Sequence, residues 1–262
     1  MDYHDIIYAK EDGIATITLN RPDTRNALSP EMTESIYKVV ADVSQDDKLR
    51  VLVLTGTGSA FCSGADVKAM SQEPGQPGGK KRKTNKKMDQ LPLLLQRCDK
   101  PVIAAINGVA AGGGFDLACA CDIRIASDKA RFTELFIRRG AIPAMGGTFF
   151  LPRLVGIDRA CQLIWTGDMI DATEAERIGL VTMVVPHGEL ESATRELAEK
   201  LVKGPPLAIQ RAKRAIYDGL GMDLQSTLDY VAAVSAEIRD PEDRKEGARA
   251  FLEKRAPVFK GK

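Results

Sequence analysis

Residues 108–116 read Gly108-Val109-Ala110-Ala111-Gly112-Gly113-Gly114-Phe115-Asp116, and their setting decides the fold class. An apolar run, Val102-Ile103-Ala104-Ala105-Ile106, enters them through the turn pair Asn107-Gly108. A small apolar stretch, Leu117-Ala118-Cys119-Ala120-Cys121, leaves them. That order predicts strand, glycine-rich corner, buried helix. Three consecutive glycines bring main-chain N–H groups close to whatever fills the corner, with no side chain between. The first turn of a helix adds N–H groups without intrahelical acceptors and the positive end of the dipole. Such a corner favours negative charge, whether on a bound anion or developing during a reaction.

A second segment has the same form. Val51-Leu52-Val53-Leu54-Thr55-Gly56 reads as a strand, and Phe61-Cys62-Ser63-Gly64-Ala65-Asp66 follows after a short loop, with a helix start expected over 66–70. Each glycine corner alone reads equally well as a tight turn with no ligand. Two of them at this spacing point to a pair of main-chain donors converging on one oxygen.

The rest of the chain repeats strand and helix. Ile6-Ile7-Tyr8 and Ile14 to Leu19, split by Glu11-Asp12-Gly13, predict a hairpin. Ser29-Pro30 predicts a capped helix start, and a helix to about Val43 precedes the 51–54 strand. Ile123 to Ala126 and Val181 to Val185 read as further strands, with a capping box at Thr173-Glu174-Ala175-Glu176. The class is α/β with largely parallel pairing. A helix over 191–203 ends at Gly204-Pro205-Pro206, and 207–217, 223–238 and 241–254 read as helical with no strand. The expected division is a core over 1–203 and a helical region over 204–262, whose apolar faces call for a partner surface or cap the core.

Composition narrows the chemistry. The 262 residues are 44% hydrophobic and 28% charged, with a net charge of +1, so no global field points to nucleic acid or membrane. No apolar run approaches the roughly 20 residues of a membrane span, and no signal peptide is read at the start. The five cysteines lack framework spacing, which reads as reduced thiols in a cytoplasmic protein. Cys62 lies beside the first corner, with no base in view to activate it. The two histidines, His4 and His187, read as an N-terminal and a loop residue. Carboxylates and backbone donors are therefore left to perform any catalysis, and no metal site is expected. Six of the eight residues from Lys80 to Lys87 are basic. This run reads as a solvated loop, a flap attracting a polyphosphate ligand, or a nucleic-acid patch. The absence of stacking aromatics and of basic excess elsewhere weighs against the last.

Nearly the whole chain resembles the crotonase superfamily, the enoyl-CoA hydratase/isomerase fold. The resemblance rests on an ordered set of motifs: Asn20-Arg21-Pro22 with Arg25-Asn26-Ala27-Leu28; Phe61 to Lys68; Pro101 to Gly108 running into Gly112-Gly113-Gly114; Ile142-Pro143-Ala144-Met145-Gly146-Gly147; Leu151 to Gly156; Thr166-Gly167-Asp168; and Ala175 to Val181. It implies a spiral of repeated β-β-α units and a helical C-terminal trimerisation region, with trimers pairing as hexamers. It implies an acyl-CoA thioester substrate whose carbonyl takes hydrogen bonds from the amides of Ala65 and Gly113, in the corners that also hold Gly64 and Gly112. Coenzyme A would lie near Arg25, Ala27, Asp66 and Lys68, with Phe259 of a neighbouring subunit against it. No metal or redox cofactor is implied.

Hydratases of this family use two glutamates. The resemblance puts Asp116 at the first position and Phe136 at the second, with Glu134 two residues earlier. The aspartate position of many isomerases is Ala144. Asp116 is then the surviving acid/base and Glu134 the second, provided its turn points inward. Otherwise Glu134 is a solvated carboxylate near Arg131 or Arg138, and Asp116 a helix N-terminal charge. A pocket-facing Phe136 would dry the site and raise its carboxyl pKa values. Reversible hydration of a 2-enoyl-CoA is the expected reaction. One-base double-bond isomerisation is the alternative, followed by thioester hydrolysis, decarboxylation, or CoA-ester binding without turnover.

Overall fold

The computed structural model describes residues 2–66, 86–238 and 242–262. In chain order its strands are β1 Ile6–Glu11, β2 Ile14–Leu19, β3 Val51–Gly56, β4 Ala60–Cys62, β5 Val102–Ile106, β6 Val109–Ala111, β7 Ile123–Ser127, β8 Arg131–Thr133, β9 Met169–Asp171 and β10 Met183–Val185. They form two sheets, ordered β1-β2-β3-β5-β7-β10 and β4-β6-β8-β9. From β2 to β10 the larger sheet pairs in parallel; only the β1–β2 hairpin is antiparallel.

Strand periodicity explains why both faces of the larger sheet are covered. On one face Ala15, Ile17, Leu19, Leu52, Leu54, Ala104 and Ile106 join the main core with Ile36, Val39 and Val43 of the helix Pro30–Gln45. On the other face the alternate residues Ile14, Val51, Val53, Ile103 and Ile125 meet Leu190 and Ala198 of the helix Leu190–Val202. Every residue of β5 is buried, as a parallel strand clad on both sides requires. Each large aliphatic side chain buried here contributes roughly 1.5–3 kcal/mol.

The start of the helix Pro30–Gln45 follows its sequence: the Ser29 hydroxyl accepts from the Met32 N–H at 2.9 Å. The capping box expected at Thr173 is corrected. The helix Ala172–Arg177 is capped by Asp171, which accepts from the Glu174 N–H at 2.9 Å. Asp ranks at least with Thr as a cap, and Asp171 lies at the end of β9, where the backbone is still extended.

The helices Pro206–Gly219, Leu224–Glu237 and Glu242–Glu253 make up the C-terminal region. Asp122, at the mouth of β7, anchors the first: it accepts from Lys213 Nζ at 2.8 Å, Tyr217 OH at 2.7 Å and the Val102 N–H at 2.7 Å. Ile216, Leu224, Leu228, Phe251 and Leu252 of these helices remain exposed. No helix among the described residues is long and apolar enough to cross a membrane.

Candidate active site

Two short parallel strands lead into the glycine corners. β4 pairs with β6, Ala60 opposite Val109 and Cys62 opposite Ala110. Beyond them both chains turn through positive φ, at Gly64 (87°) and Gly112 (51°). The corners are in contact: a Cβ added to Gly64 would lie 2.7 Å from the Ala111 carbonyl oxygen and 3.0 Å from the Gly113 nitrogen. A Cβ on Gly114 would collide with the Cys62 carbonyl. Gly113 opens the helix Gly113–Cys119, so its N–H has no acceptor within that helix.

The preceding loop braces the first corner. The Leu28 N–H donates to the Gly64 carbonyl at 2.8 Å, and the Ser63 N–H to the Arg25 carbonyl at 3.0 Å. Leu28 and Ala65 form a parallel bridge. The structure thus brings Gly64, Ala65, Gly112 and Gly113 together.

Asp116 lies one turn into the Gly113–Cys119 helix and is fully buried. Its Oδ2 accepts from the Met145 N–H at 3.2 Å. Glu134 is 1% exposed. It does not continue β8: the strand stops at Thr133, and Glu134 turns (φ −92°, ψ 62°) into the 3-10 helix Leu135–Arg139. That turn sends its carboxyl inward. The solvated alternative is overturned, since Arg138 pairs with Asp168 at 3.0 Å and Arg131 Nη1 donates to the Ala130 carbonyl. A Cβ added to Gly147 would strike both Asp116 Oδ1 and Glu134 Oε1. The two carboxyls therefore flank one glycine.

Among the described residues, Asp116 Oδ1 and both Glu134 oxygens have no hydrogen-bond donor. Two buried carboxylates only accept, so they become partners when one holds a proton. Burial raises the Asp116 carboxyl above the ordinary aspartate range, opposed by the proton of Glu134 and the Met145 N–H. Burial raises Glu134 further, and the Asp116 charge adds to that. The pair thus shares one proton and one negative charge near neutrality; the Met145 N–H on Asp116 favours the charge there and the proton on Glu134.

This has a consequence for stability. Glu134 keeps its proton in the folded state above its ordinary value of 4.5, whereas the unfolded chain releases it. Its contribution is therefore greatest below about 4.5 and is lost as pH rises. A Glu134→Gln variant, neutral at every pH, is expected to gain thermal stability relative to the parent as pH goes from 4.5 to 8. Paired melting curves across that range test it; a gap that does not grow with pH would count against a protonated buried Glu134.

Other expected site residues are placed as follows. The Phe136 ring lies 3.6 Å from where a Gly112 Cβ would stand, half-buried against the second corner. Ala27 is buried and Arg25 exposed, at φ 54°. Asp66 pairs with Arg21 at 3.0 Å. Lys68, the expected helix start after Asp66 and most of the basic run lie outside the described residues. Phe259 packs near Gly247 of its own C-terminal helix, not at the corners of its own chain. Cys62 is buried, its thiol pushed up to about 12 by desolvation, which removes it as a nucleophile. His187 Nδ1 lies 2.9 Å from the Ser127 hydroxyl. Among the described residues no cluster of three or more His, Cys, Asp or Glu is arranged to hold a metal. A cleft of about 490 Å³ on the opposite face of the larger sheet, lined by Thr16, Thr18, Thr55 and Thr194, includes neither carboxyl.

Two residues at the carboxyl pair carry no local sequence signal of that role. Met145 holds Asp116 through its N–H, and its sulfur is 2.7 Å from where a Gly113 Cβ would stand. Gly147 leaves room for the pair. The Met145-Gly146-Gly147 motif was visible, but nothing local marked it as facing Asp116, 29 residues earlier.

The enoyl-CoA hydratase/isomerase family model matches residues 9–262. The chain belongs to that family. It is 40% identical over 256 residues to the short-chain-enoyl-CoA hydratase of Clostridium acetobutylicum, covering 97% of each chain. It is 41% identical over 250 residues to the (E)-benzylidenesuccinyl-CoA hydratase of Thauera aromatica, covering 95% of this chain and 96% of that one. The crystal structure of an enoyl-CoA hydratase from Bacillus anthracis superposes with a TM-score of 0.92 at 37% identity, covering 99% and 100% of the two chains. The enoyl-CoA hydratase/isomerase family explains the two-sheet architecture and the helical C-terminal region; the fold is the crotonase spiral expected from the motifs.

Proposed function

We propose that this enzyme adds water reversibly across the C2=C3 bond of a 2-enoyl-CoA thioester. One observation supports this above the others: two buried carboxyls, Asp116 and Glu134, flank Gly147, and Asp116 lies on the helix whose start presents Gly113. The thioester oxygen sits between the N–H groups of Ala65 and Gly113. Ionised Asp116 takes a proton from water as its oxygen bonds to C3. The π pair moves toward C1, and the carbonyl becomes an enolate that the two N–H groups stabilise, worth roughly 3–4 kcal/mol each. Glu134 then delivers its proton to C2, which restores the carbonyl. Asp116 now holds a proton and Glu134 does not; transfer between neighbours resets the pair. A one-base isomerisation has no use for the second buried carboxyl, which favours hydration.

Around this centre Gly64, Gly112 and Phe136 shape the thioester site, and Arg25, Ala27, Asp66 and Lys68 receive the CoA. The exposed apolar side chains of the C-terminal helices support a trimer, or a hexamer of two trimers, in which Phe259 of a neighbouring subunit reaches the CoA. The C-terminal region over 204–262 acts as the assembly unit on the 1–203 core. No metal or redox cofactor takes part, and the enzyme works in the cytoplasm, with neither nucleic acid nor membrane as partner.

Incubation with a panel of short-chain and aromatic 2-enoyl-CoA esters in deuterium oxide tests the reaction. Expected are loss of the conjugated enoyl absorbance, a hydroxyl at C3 and one deuterium at C2. Migration of the double bond without a new hydroxyl, release of free thiol, release of carbon dioxide, or no change would each overturn hydration.

A further inference from the structure

We propose that Asn26 and Asn107 are positioning residues that fix the distance between the two donor-bearing corners through one shared acceptor, the carbonyl of Ala60. The inference rests on the donor pair assigned above. Asn26 Nδ2 donates to Ala60 O at 2.8 Å and Asn107 Nδ2 to the same oxygen at 3.2 Å. No other carbonyl among the described residues receives two asparagine side chains in this way.

Both amides are otherwise fully engaged. Asn26 Nδ2 also donates to Thr57 O at 2.9 Å, and its Oδ1 accepts from the Arg21 N–H at 2.9 Å. Asn107 Nδ2 also donates to Gly58 O at 3.0 Å, and its Oδ1 accepts from the Gly56 N–H at 3.3 Å. A planar amide bonded at both ends has one orientation, so each side chain is a rigid strut. Asn26 is 0% exposed and sits at φ 55°, a left-handed conformation asparagine tolerates better than most residues.

The topology converts these struts into control of the site. Ala60 opens β4, which runs through Cys62 to Gly64 and Ala65. Asn107 stands two residues before Val109, which opens β6, the strand that runs to Gly112 and Gly113. Asn26 belongs to the loop whose Arg25 carbonyl and Leu28 N–H hold Ser63 and Gly64. β4 and β6 are only three residues each, and their pairing slips in register between Ala60 and Cys62. So short and irregular a ladder fixes its own offset weakly. The shared carbonyl ties the starts of both strands together, and the donors stand at their far ends. A group misplaced by about 1 Å costs roughly 100-fold in rate. Loosening this bracket therefore acts on the donor pair without touching substrate.

Asn107→Ser and Asn26→Ser test it, with acetoacetyl-CoA as probe, because its enolate is visible in the ultraviolet and reads the donor pair without turnover. Expected for each folded variant is a fall in kcat of about 10- to 100-fold. The bound probe should shift toward its keto form, while the affinity for free CoA is unchanged. The double variant should lose less than the product of the two single losses, because both act through one carbonyl. Full enolate absorbance in both variants, with activity falling only in step with the folded fraction measured by circular dichroism, would overturn the positioning role. No enolate band in the parent protein would overturn the donor pair itself, and this inference with it.

Discussion

An Asp116→Asn variant is expected to lose about 10³- to 10⁴-fold in kcat for a 2-enoyl-CoA, with CoA affinity changed by less than about threefold. Asparagine has nearly the same shape and can still accept from the Met145 N–H, so the fold around the site is retained. What disappears is the only ionised group of the pair. Water then has no base, and in the reverse direction the C3 hydroxyl has no acid. The same change removes the negative charge that raises Glu134, so the Glu134 carboxyl should titrate lower in the variant. In the parent, activity requires one proton on the pair, so it should fall on the acid side as Asp116 is protonated. That limb should lie above the ordinary aspartate value of 3.8. Steady-state rates against pH, with CoA binding by calorimetry, measure the loss in kcat, the retained affinity and the acid limb. An Asp116→Asn variant retaining more than a tenth of the parent kcat would remove Asp116 from the reaction.

Gly64→Ala should be nearly as damaging, for a steric and electrostatic reason. Gly64 has φ 87°, and its missing Cβ would stand 2.7 Å from the Ala111 oxygen and 3.0 Å from the Gly113 nitrogen. Alanine therefore forces apart the two corners whose amides are to share one oxygen. The expected loss is about 10²- to 10³-fold in kcat, the cost of one missing donor in such a site. The left-handed backbone adds a stability cost of roughly 1–2 kcal/mol. Gly140→Ala separates the two effects. Gly140 also has positive φ, 65°, but a Cβ there meets nothing within 4 Å among the described residues. It should lose comparable stability and keep its activity. If Gly64→Ala were no less active than Gly140→Ala, contact between the corners would not matter to catalysis.

Much of the architecture was legible because its signals are local. The hairpin announced itself through Glu11-Asp12-Gly13 between apolar runs, and both Asp12 and Gly13 do take positive φ. The Ser29-Pro30 start and the all-apolar β5 likewise need only their own neighbours to be read. β4, β6, β8 and β9 are not legible in the sequence for the converse reason. Each has three residues, too few to establish a period of two. Thr173-x-x-Glu176 offers a competing pattern that obscures Asp171 as the cap.

The candidate site divides along the same line. The glycine corners and Asp116 stood out because backbone access and a carboxylate beside three glycines are properties of adjacent residues. The residues around Glu134 leave open whether its side chain points inward. Extended, it would have shared a face with Phe132 and Phe136; the turn after Thr133 changes its direction.

Residue order alone determined the α/β class, the two glycine corners and the chemistry left available once histidine and cysteine machinery were set aside. Only the tertiary structure decided that Asp116 and Glu134 face each other across Gly147, and that Asn26 and Asn107 converge on Ala60. The physical reason is range: backbone conformation follows from near neighbours. The proton shared by two carboxyls depends instead on burial and separation, which exist only after distant segments have packed.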